Sequence, residues 1–144
     1  SRAFRCTCRP WRYSCARNVL QSCIIDAVKD TGDLIELLAC TQGNNTDLKK
    51  SVTECASSVR LSTPLDVDRV IDCASGATGR RLLAQHGVTQ DRMLPIIQRV
   101  PTIFLNGVLE PVADEDLLHI LCVRYLKPRP PECDSFKNEF FDEI

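Results

Sequence analysis

Nine of the 144 residues are cysteine, and nowhere in the chain are two of them spaced as C-x-x-C. Cysteines at this density usually indicate an oxidising compartment, where they form disulfides. The missing C-x-x-C pairs argue against structural zinc, since such sites use paired cysteine and histidine ligands. We therefore expect a disulfide-braced protein with no metal site and no cofactor. Because the count is odd, at least one thiol is free or pairs outside the chain.

The positions of the cysteines predict how they are used. One falls on or beside the apolar face of each of four consecutive predicted helices: Cys23, Cys40, Cys55 and Cys73. Packed helices bring Cα atoms within the roughly 4.4–6.8 Å that a bridge requires, so we expect these four to pair among themselves. Buried free thiols are the alternative. The other predicted bridges are Cys8–Cys15 and Cys122–Cys133, which leaves Cys6 to link two copies of the chain into a dimer.

Hydrophobic periodicity predicts a mostly α-helical chain with a small β-hairpin. Helices are expected at about 15–30, 33–41, 46–59, 63–75 and 79–86, with a short helical turn at 91–97. The predicted N-caps are Asn45 or Thr46 for the third helix and Thr63 for the fourth. Gly32 and Gly87 are expected to end helices.

The character of the sequence changes at residue 100, where VPTIFLNGVLEP is β-branched and apolar. Asn106-Gly107 is a strong signal for a two-residue hairpin turn, so we predict strands at 102–105 and 108–110. An amphipathic helix over 113–126 and an extended proline-rich linker are expected to follow. We expect a single domain over 1–144, with an N-terminal loop at 1–14, a helical region at 15–98, the hairpin and helix at 99–126, and a tail at 127–144.

Charge and hydropathy exclude some classes of function. The net charge is −1 and the basic residues are scattered, so no basic face for nucleic acid is expected. No apolar run approaches the roughly eighteen residues of a membrane span. Asn44 begins an N-glycosylation sequon in a polar loop and is a candidate glycosylation site. Together with the cysteines, the sequon indicates a secreted or lysosomal and endosomal protein.

The N-terminal loop combines basic and aromatic residues. Tryptophan, tyrosine and arginine are frequent among interface hot spots, so this loop is a candidate surface for a protein or cell-surface partner. The candidate binding residues are Arg9, Trp11, Arg12 and Tyr13. A solvated loop with one buried aromatic side chain is the alternative.

These features resemble the gamma-interferon-inducible lysosomal thiol reductases, the GILT family. The spacing of that family's cysteine and asparagine signature is kept at Cys8, Cys15, Asn18 and Cys23. Arg9, Pro10 and Trp11 stand where the family has Gln-His-Gly, which indicates a divergent member such as those of insects. The segments CASGATG, VPTIFLNG and LLHILC then follow in the family's order.

The resemblance implies a partial thioredoxin-like fold with a disulfide-braced helical insertion. It also implies a cis peptide bond between Val100 and Pro101, a bond type that is affordable only before proline. In such folds the loop formed by these two residues pairs with an extended substrate. A trans proline that merely begins a strand is the alternative.

Family members carry a catalytic C-x-x-C well upstream of the signature, and only seven residues precede Cys8 here. A dithiol reductase needs one thiolate to attack and a second thiol to resolve the mixed disulfide. We therefore expect a secreted GILT-like glycoprotein that has lost this chemistry and binds a protein or cell-surface partner. One alternative is a thiol reductase that acts on protein disulfides, through Cys6 and Cys8 or through a dithiol outside this chain. A saposin-like lipid binder is another, which the hairpin disfavours.

Overall fold

The computed structural model describes residues 14–42 and 46–136, which divide into two compact units between Arg92 and Met93. The chain is mostly α-helical with one two-stranded antiparallel sheet, which confirms the predicted fold class. The single domain over 1–144 stays a prediction. Within the described ranges, no helix is both long enough and apolar enough to cross a membrane.

The first unit is built from helices. They are α1 (Ser14–Ala27), α2 (Thr31–Thr41), α3 (Leu48–Ser58), α4 (Val67–Ser75) and α5 (Ala77–Met93), the last of which ends on the first residue of the second unit. The first four contribute the largest buried side chains of the core: Leu20, Ile24, Leu37, Val52 and Val70. Each such burial stabilises the fold by roughly 1.5–3 kcal/mol relative to an exposed side chain.

Aspartates, and not the predicted residues, cap three of these helices. Asp30, Asp47 and Asp66 each accept a hydrogen bond from the backbone N–H three residues ahead, at 2.9–3.0 Å. Such a cap typically contributes about 1 kcal/mol. The predicted caps Thr46 and Thr63 are therefore wrong, because an aspartate stands one to three residues further along. The other predicted cap, Asn45, lies outside the described residues.

Two glycines that were expected to end helices lie inside them. Gly32 lies in the first turn of α2, and α1 has already ended at Ala27. Gly87 lies within α5, which runs unbroken from Ala77 to Met93. A glycine inside a helix costs only about 1 kcal/mol relative to alanine, so the helices predicted at 79–86 and 91–97 are joined in one.

Two disulfides brace the first unit. Cys23–Cys73 joins α1 to α4 with a Cα–Cα distance of 6.0 Å, and Cys40–Cys55 joins α2 to α3 at 5.8 Å. These bridges confirm that the four helix cysteines pair among themselves. Cys15 is also disulfide-bonded, but its predicted partner Cys8 lies outside the described residues.

The second unit begins with the hairpin. Its elements are β1 (Phe104–Leu105), β2 (Val108–Leu109), a 3-10 turn at Pro111–Asp114, α6 (Leu117–Ile120) with a π-helical turn at Leu121–Tyr125, and a 3-10 helix at Pro131–Phe136. The helix predicted over 113–126 therefore begins later, at Leu117. The predicted extended linker is also partly wrong, since Cys133 lies in the last 3-10 helix. Cys133 is bonded to Cys122 as predicted, and both are buried.

Candidate functional site

The hairpin is tightly turned and antiparallel. Its register pairs Phe104 with Leu109 and Leu105 with Val108. Asn106 and Gly107 have φ angles of 50° and 80°, the left-handed values that a type I′ turn requires. The predicted turn is confirmed, while each strand is shorter than predicted.

The loop before β1 places Val100 and Pro101 at the surface. The peptide bond between them is cis, as the resemblance implies. Val100 is 82% exposed. The Thr102 hydroxyl donates a hydrogen bond to the Arg99 carbonyl at 2.5 Å, which ties the two ends of the loop together. The role of this loop in pairing with a substrate stays a prediction.

A cavity of about 340 Å³ lies beside this loop, within the second unit. Residues of the loop, of the segment before it and of β2 line it, including Ile96, Arg99, Pro101, Thr102, Leu109 and Glu110. The Arg99 guanidinium donates to the carbonyl of Pro111 at 3.2 Å, which ties the loop to the residues after β2. The volume is at the small end of the roughly 300–1,000 Å³ of ligand sites, so it suits a side chain or two of a bound polypeptide.

Glu110 is the most buried charged side chain of this site, with only 11% of it exposed. One carboxylate oxygen accepts a hydrogen bond from the Tyr125 hydroxyl at 2.5 Å, and the other accepts one from Arg124 at 3.2 Å. The hydrogen bond to Glu110 is the main reason that the pKa of Tyr125 is raised, and burial and the Glu110 charge add to it. Glu110 therefore ties the end of β2 to the helical segment that ends at Tyr125.

The second unit exposes much apolar surface for its size. Side chains of which more than two fifths is exposed include Ile96, Val100, Val108, Leu109, Val112 and Leu118. By contrast, its buried apolar residues are Ala113, Ile120, Cys122 and Cys133. Apolar surface of this extent is typical of a site that binds another molecule.

Every cysteine in the described ranges is disulfide-bonded, so that part of the chain offers no free thiol. A thiol reductase needs a thiolate as its nucleophile. The two candidate catalytic residues, Cys6 and Cys8, lie outside the described residues. The same holds for the candidate glycosylation and binding residues Asn44, Arg9, Trp11, Arg12 and Tyr13, whose roles stay predictions.

Sequence reasoning did not find the cluster of Glu110, Arg124 and Tyr125. These contacts span 14 and 15 residues, across the 3-10 turn and the following helix, so no helix or strand period aligns them. The available signal was a single one: a lone carboxylate directly after the apolar run of β2, where a charge is expected to need a partner.

Comparison with known proteins gives a consistent result. Residues 1–59 match the family model described as "Gamma interferon inducible lysosomal thiol reductase (GILT)". The chain is 32% identical over 130 residues to a GILT-like protein of Caenorhabditis elegans, a match that covers 89% of this chain and 57% of the relative. It is similar to a second GILT-like protein of that nematode, at 32% identity over 133 residues, 92% of this chain and 39% of the relative.

A mammalian relative is more distant. The gamma-interferon-inducible lysosomal thiol reductase of Mus musculus is 22% identical over 135 residues, which are 92% of this chain and 52% of the mouse protein. The chain thus spans about half the length of the curated relatives that it matches. No solved structure shows a significant match.

Proposed function

We propose, from the premise that the chain belongs to the gamma interferon inducible lysosomal thiol reductase family, that it acts by binding a polypeptide partner and not by reducing disulfides. The observation that carries this proposal is the state of the cysteines. All seven in the described ranges are disulfide-bonded, and the 144 residues contain no C-x-x-C pair. The chemistry of a dithiol reductase requires two thiols that take turns as nucleophile and resolving group.

The second unit supports a binding role. Val100 and Pro101 stand at the surface beside a cavity, and exposed apolar side chains such as Val108 and Leu109 surround the hairpin. An apolar surface of this kind gains free energy when a partner covers it. Arg9, Trp11, Arg12 and Tyr13 remain proposed contacts for a protein or cell-surface partner.

The cysteine chemistry also supports a location. Disulfides persist in secreted proteins and in oxidising compartments of the cell, and they are rare in the cytosol. We assign the protein to the secreted or lysosomal and endosomal space, with Asn44 as its proposed site of glycosylation. Treatment with a glycosidase specific for N-linked glycans, compared between the native protein and an Asn44→Gln variant, tests that assignment.

A second candidate function is reduction of protein disulfides, which the name of the mouse relative favours. It would use Cys6 and Cys8, or a dithiol that this chain does not carry. A C-x-C bridge closes a very tight ring, so it would be easily reduced by a small dithiol donor.

A disulfide-reduction assay separates the two functions. The substrate would be a fluorogenic protein disulfide, with a small dithiol as electron donor, at acidic and at neutral pH. The binding role predicts rates equal to the donor's background for both the native protein and a Cys6→Ser/Cys8→Ser variant. Turnover above that background, lost in the double variant, would replace the binding proposal with a reductase that uses the C-x-C pair.

A further inference from the structure

We infer that the outer edge of β1 is a docking site for an extended, uncharged polypeptide strand, which adds to the hairpin as a third strand. This inference rests on the proposed binding function and names the form of its partner. The surface is the β1 edge, defined here as residues 102–105, in the second unit.

The β1 edge presents backbone groups with no partner in the part of the chain that the structure describes. The Glu110 amide donates to the Ile103 carbonyl at 3.0 Å, so Ile103 and Glu110 form a hydrogen-bonded pair. Antiparallel pairs alternate, and the next pair, Phe104 with Leu109, is therefore a non-hydrogen-bonded pair. The N–H and C=O of Phe104 point away from the hairpin, where an added strand can meet them.

The opposite edge, along β2, is closed by its own residues. In the same register Pro111 stands across from Thr102, and a proline has no N–H to offer. The carbonyl of Pro111 already accepts a hydrogen bond from Arg99. Native sheets protect exposed edges with prolines and charges, and the β1 edge has neither within 102–105. Only the β1 edge is therefore left open to pairing.

The side chains at this edge select an uncharged, apolar partner. Thr102 and Phe104 alternate across the strand with Ile103 and Leu105, so both faces carry uncharged groups. The charges on either side are engaged within the unit. Arg99 donates to the Pro111 carbonyl, and Glu110 is held by Arg124 and Tyr125. A charged strand would find no counter-charge here, whereas β-branched side chains fit.

The hairpin also needs such a partner for its own stability. Both residues of β2 are exposed, at 58% for Val108 and 44% for Leu109. A two-stranded sheet is only marginally stable alone, and a third strand adds a second hydrogen-bonded ladder. The cavity of about 340 Å³, which Pro101 and Thr102 help to line, begins where the β1 edge begins and has room for a side chain of the added strand. Main-chain hydrogen bonds would supply affinity and this cavity would supply selectivity.

The test uses the full chain and two blocked peptides. The probe is an acetylated and amidated Thr-Val-Thr-Val-Thr-Val peptide that is N-methylated on alternate residues, so that one edge stays open and the peptide cannot aggregate. The control has the same side chains but is N-methylated on both edges. Binding is measured by isothermal calorimetry. We expect the one-edge peptide to bind at least about tenfold more tightly than the control, since several backbone hydrogen bonds are lost in the control.

Matched variants locate the binding edge. Phe104→Pro removes an outward N–H from the β1 edge, and Leu109→Pro removes the equivalent group from β2. We expect a loss of about tenfold or more for Phe104→Pro relative to Phe104→Ala, which keeps the N–H, and little change for Leu109→Pro. The Cys122–Cys133 bridge, checked by peptide mapping, reports whether each variant folds. If a proline variant fails to fold, the peptide pair on the native protein still decides.

Equal binding of the two peptides would overturn the inference. So would a dimer of the native chain that excludes the peptide and is lost in Phe104→Pro, because a second copy would then be the occupant. The disulfide-reduction assay is independent of these readouts. A chain that reduces disulfides but still binds only the one-edge peptide would refute the proposed loss of reductase chemistry and leave the strand site standing.

Discussion

Gly79 lies so close to α1 that a Cβ atom built on it would stand 2.6 Å from Cγ1 of Val19. The same atom would be 2.6 Å from the carbonyl oxygen of Cys73 and 3.0 Å from Sγ of Cys23. The missing side chain therefore lets the first turn of α5 lie directly against the Cys23–Cys73 bridge.

Gly79→Ala should destabilise the protein. The new methyl group meets backbone and buried atoms that cannot move aside cheaply, and overpacking of this kind costs about 1–3 kcal/mol. The matched control is Gly87→Ala in the same helix, where a Cβ would meet nothing within 4 Å. That change should stabilise by about 0.5–1 kcal/mol, because alanine is the better helix former. Urea unfolding with intact disulfides measures both, and equal shifts would contradict the close approach at Gly79.

The two bridges of the first unit should differ in their contribution to stability. Cys23–Cys73 closes a sequence separation of 50 residues and Cys40–Cys55 one of 15. Loop-closure entropy then predicts losses of about 4 and about 3 kcal/mol when each pair is replaced by alanines. The buried position of Cys23 adds a cavity cost to the first loss. The free energies of unfolding of the two double variants, measured in urea, should rank in that order, and the reverse order would count against this account.

Tyr125 should titrate above the ordinary tyrosine pKa of about 10. Its hydroxyl donates to Glu110, and ionisation would lose this bond and place a negative charge beside the carboxylate. Because the folded pKa is raised, the stabilisation is complete below the unfolded pKa and is lost as the pH rises through the folded value. Ultraviolet titration of a Tyr13→Phe protein, whose remaining tyrosine is Tyr125, measures the shift. Adding Glu110→Ala should lower the pKa, and an unchanged value would show that Glu110 is not its cause.

Asp33 should hold the segment before α4 against α2. One carboxylate oxygen accepts hydrogen bonds from the Ser62 amide at 2.9 Å and from the Ser62 hydroxyl at 2.6 Å. Asp33→Ala loses both bonds, and Ser62→Ala loses only the second, so we expect costs of about 1–2 and about 0.5–1 kcal/mol. Hydrogen exchange at the Ser62 amide should speed up far more in Asp33→Ala than in Ser62→Ala. Similar exchange rates would place the main restraint elsewhere.

The elements that could be predicted from sequence are those with a strong local signal. Asn106-Gly107 requires left-handed backbone at both positions, and the hairpin formed where that pair stands. Apolar periodicity located the helices, and one cysteine on each of four helices predicted that these residues pair together. Their individual partners did not follow, because a period along one helix carries no information about which neighbour it faces.

The failures have a common physical cause. Thr63 and Asp66 are both competent caps, and the choice between them depends on where α4 meets the rest of the unit. Gly87 could not stop α5, because a glycine ends a helix only when the following backbone turns away. Glu110 gave only a weak sequence signal, because its partners Arg124 and Tyr125 lie beyond a turn. In the first two cases tertiary contacts outweighed a local preference of about 1 kcal/mol.

The order of the bridges has a consequence for a protein that meets proteases. Cys40–Cys55 lies wholly inside the loop that Cys23–Cys73 closes, so the two are nested along the chain. A single backbone cut between residues 40 and 55 leaves both fragments joined by both covalent links. The nicked molecule would migrate as one species until it is reduced, and only then separate into two. Exposed turns are the preferred sites of such cuts, and this pattern of nested links makes cleavage there survivable.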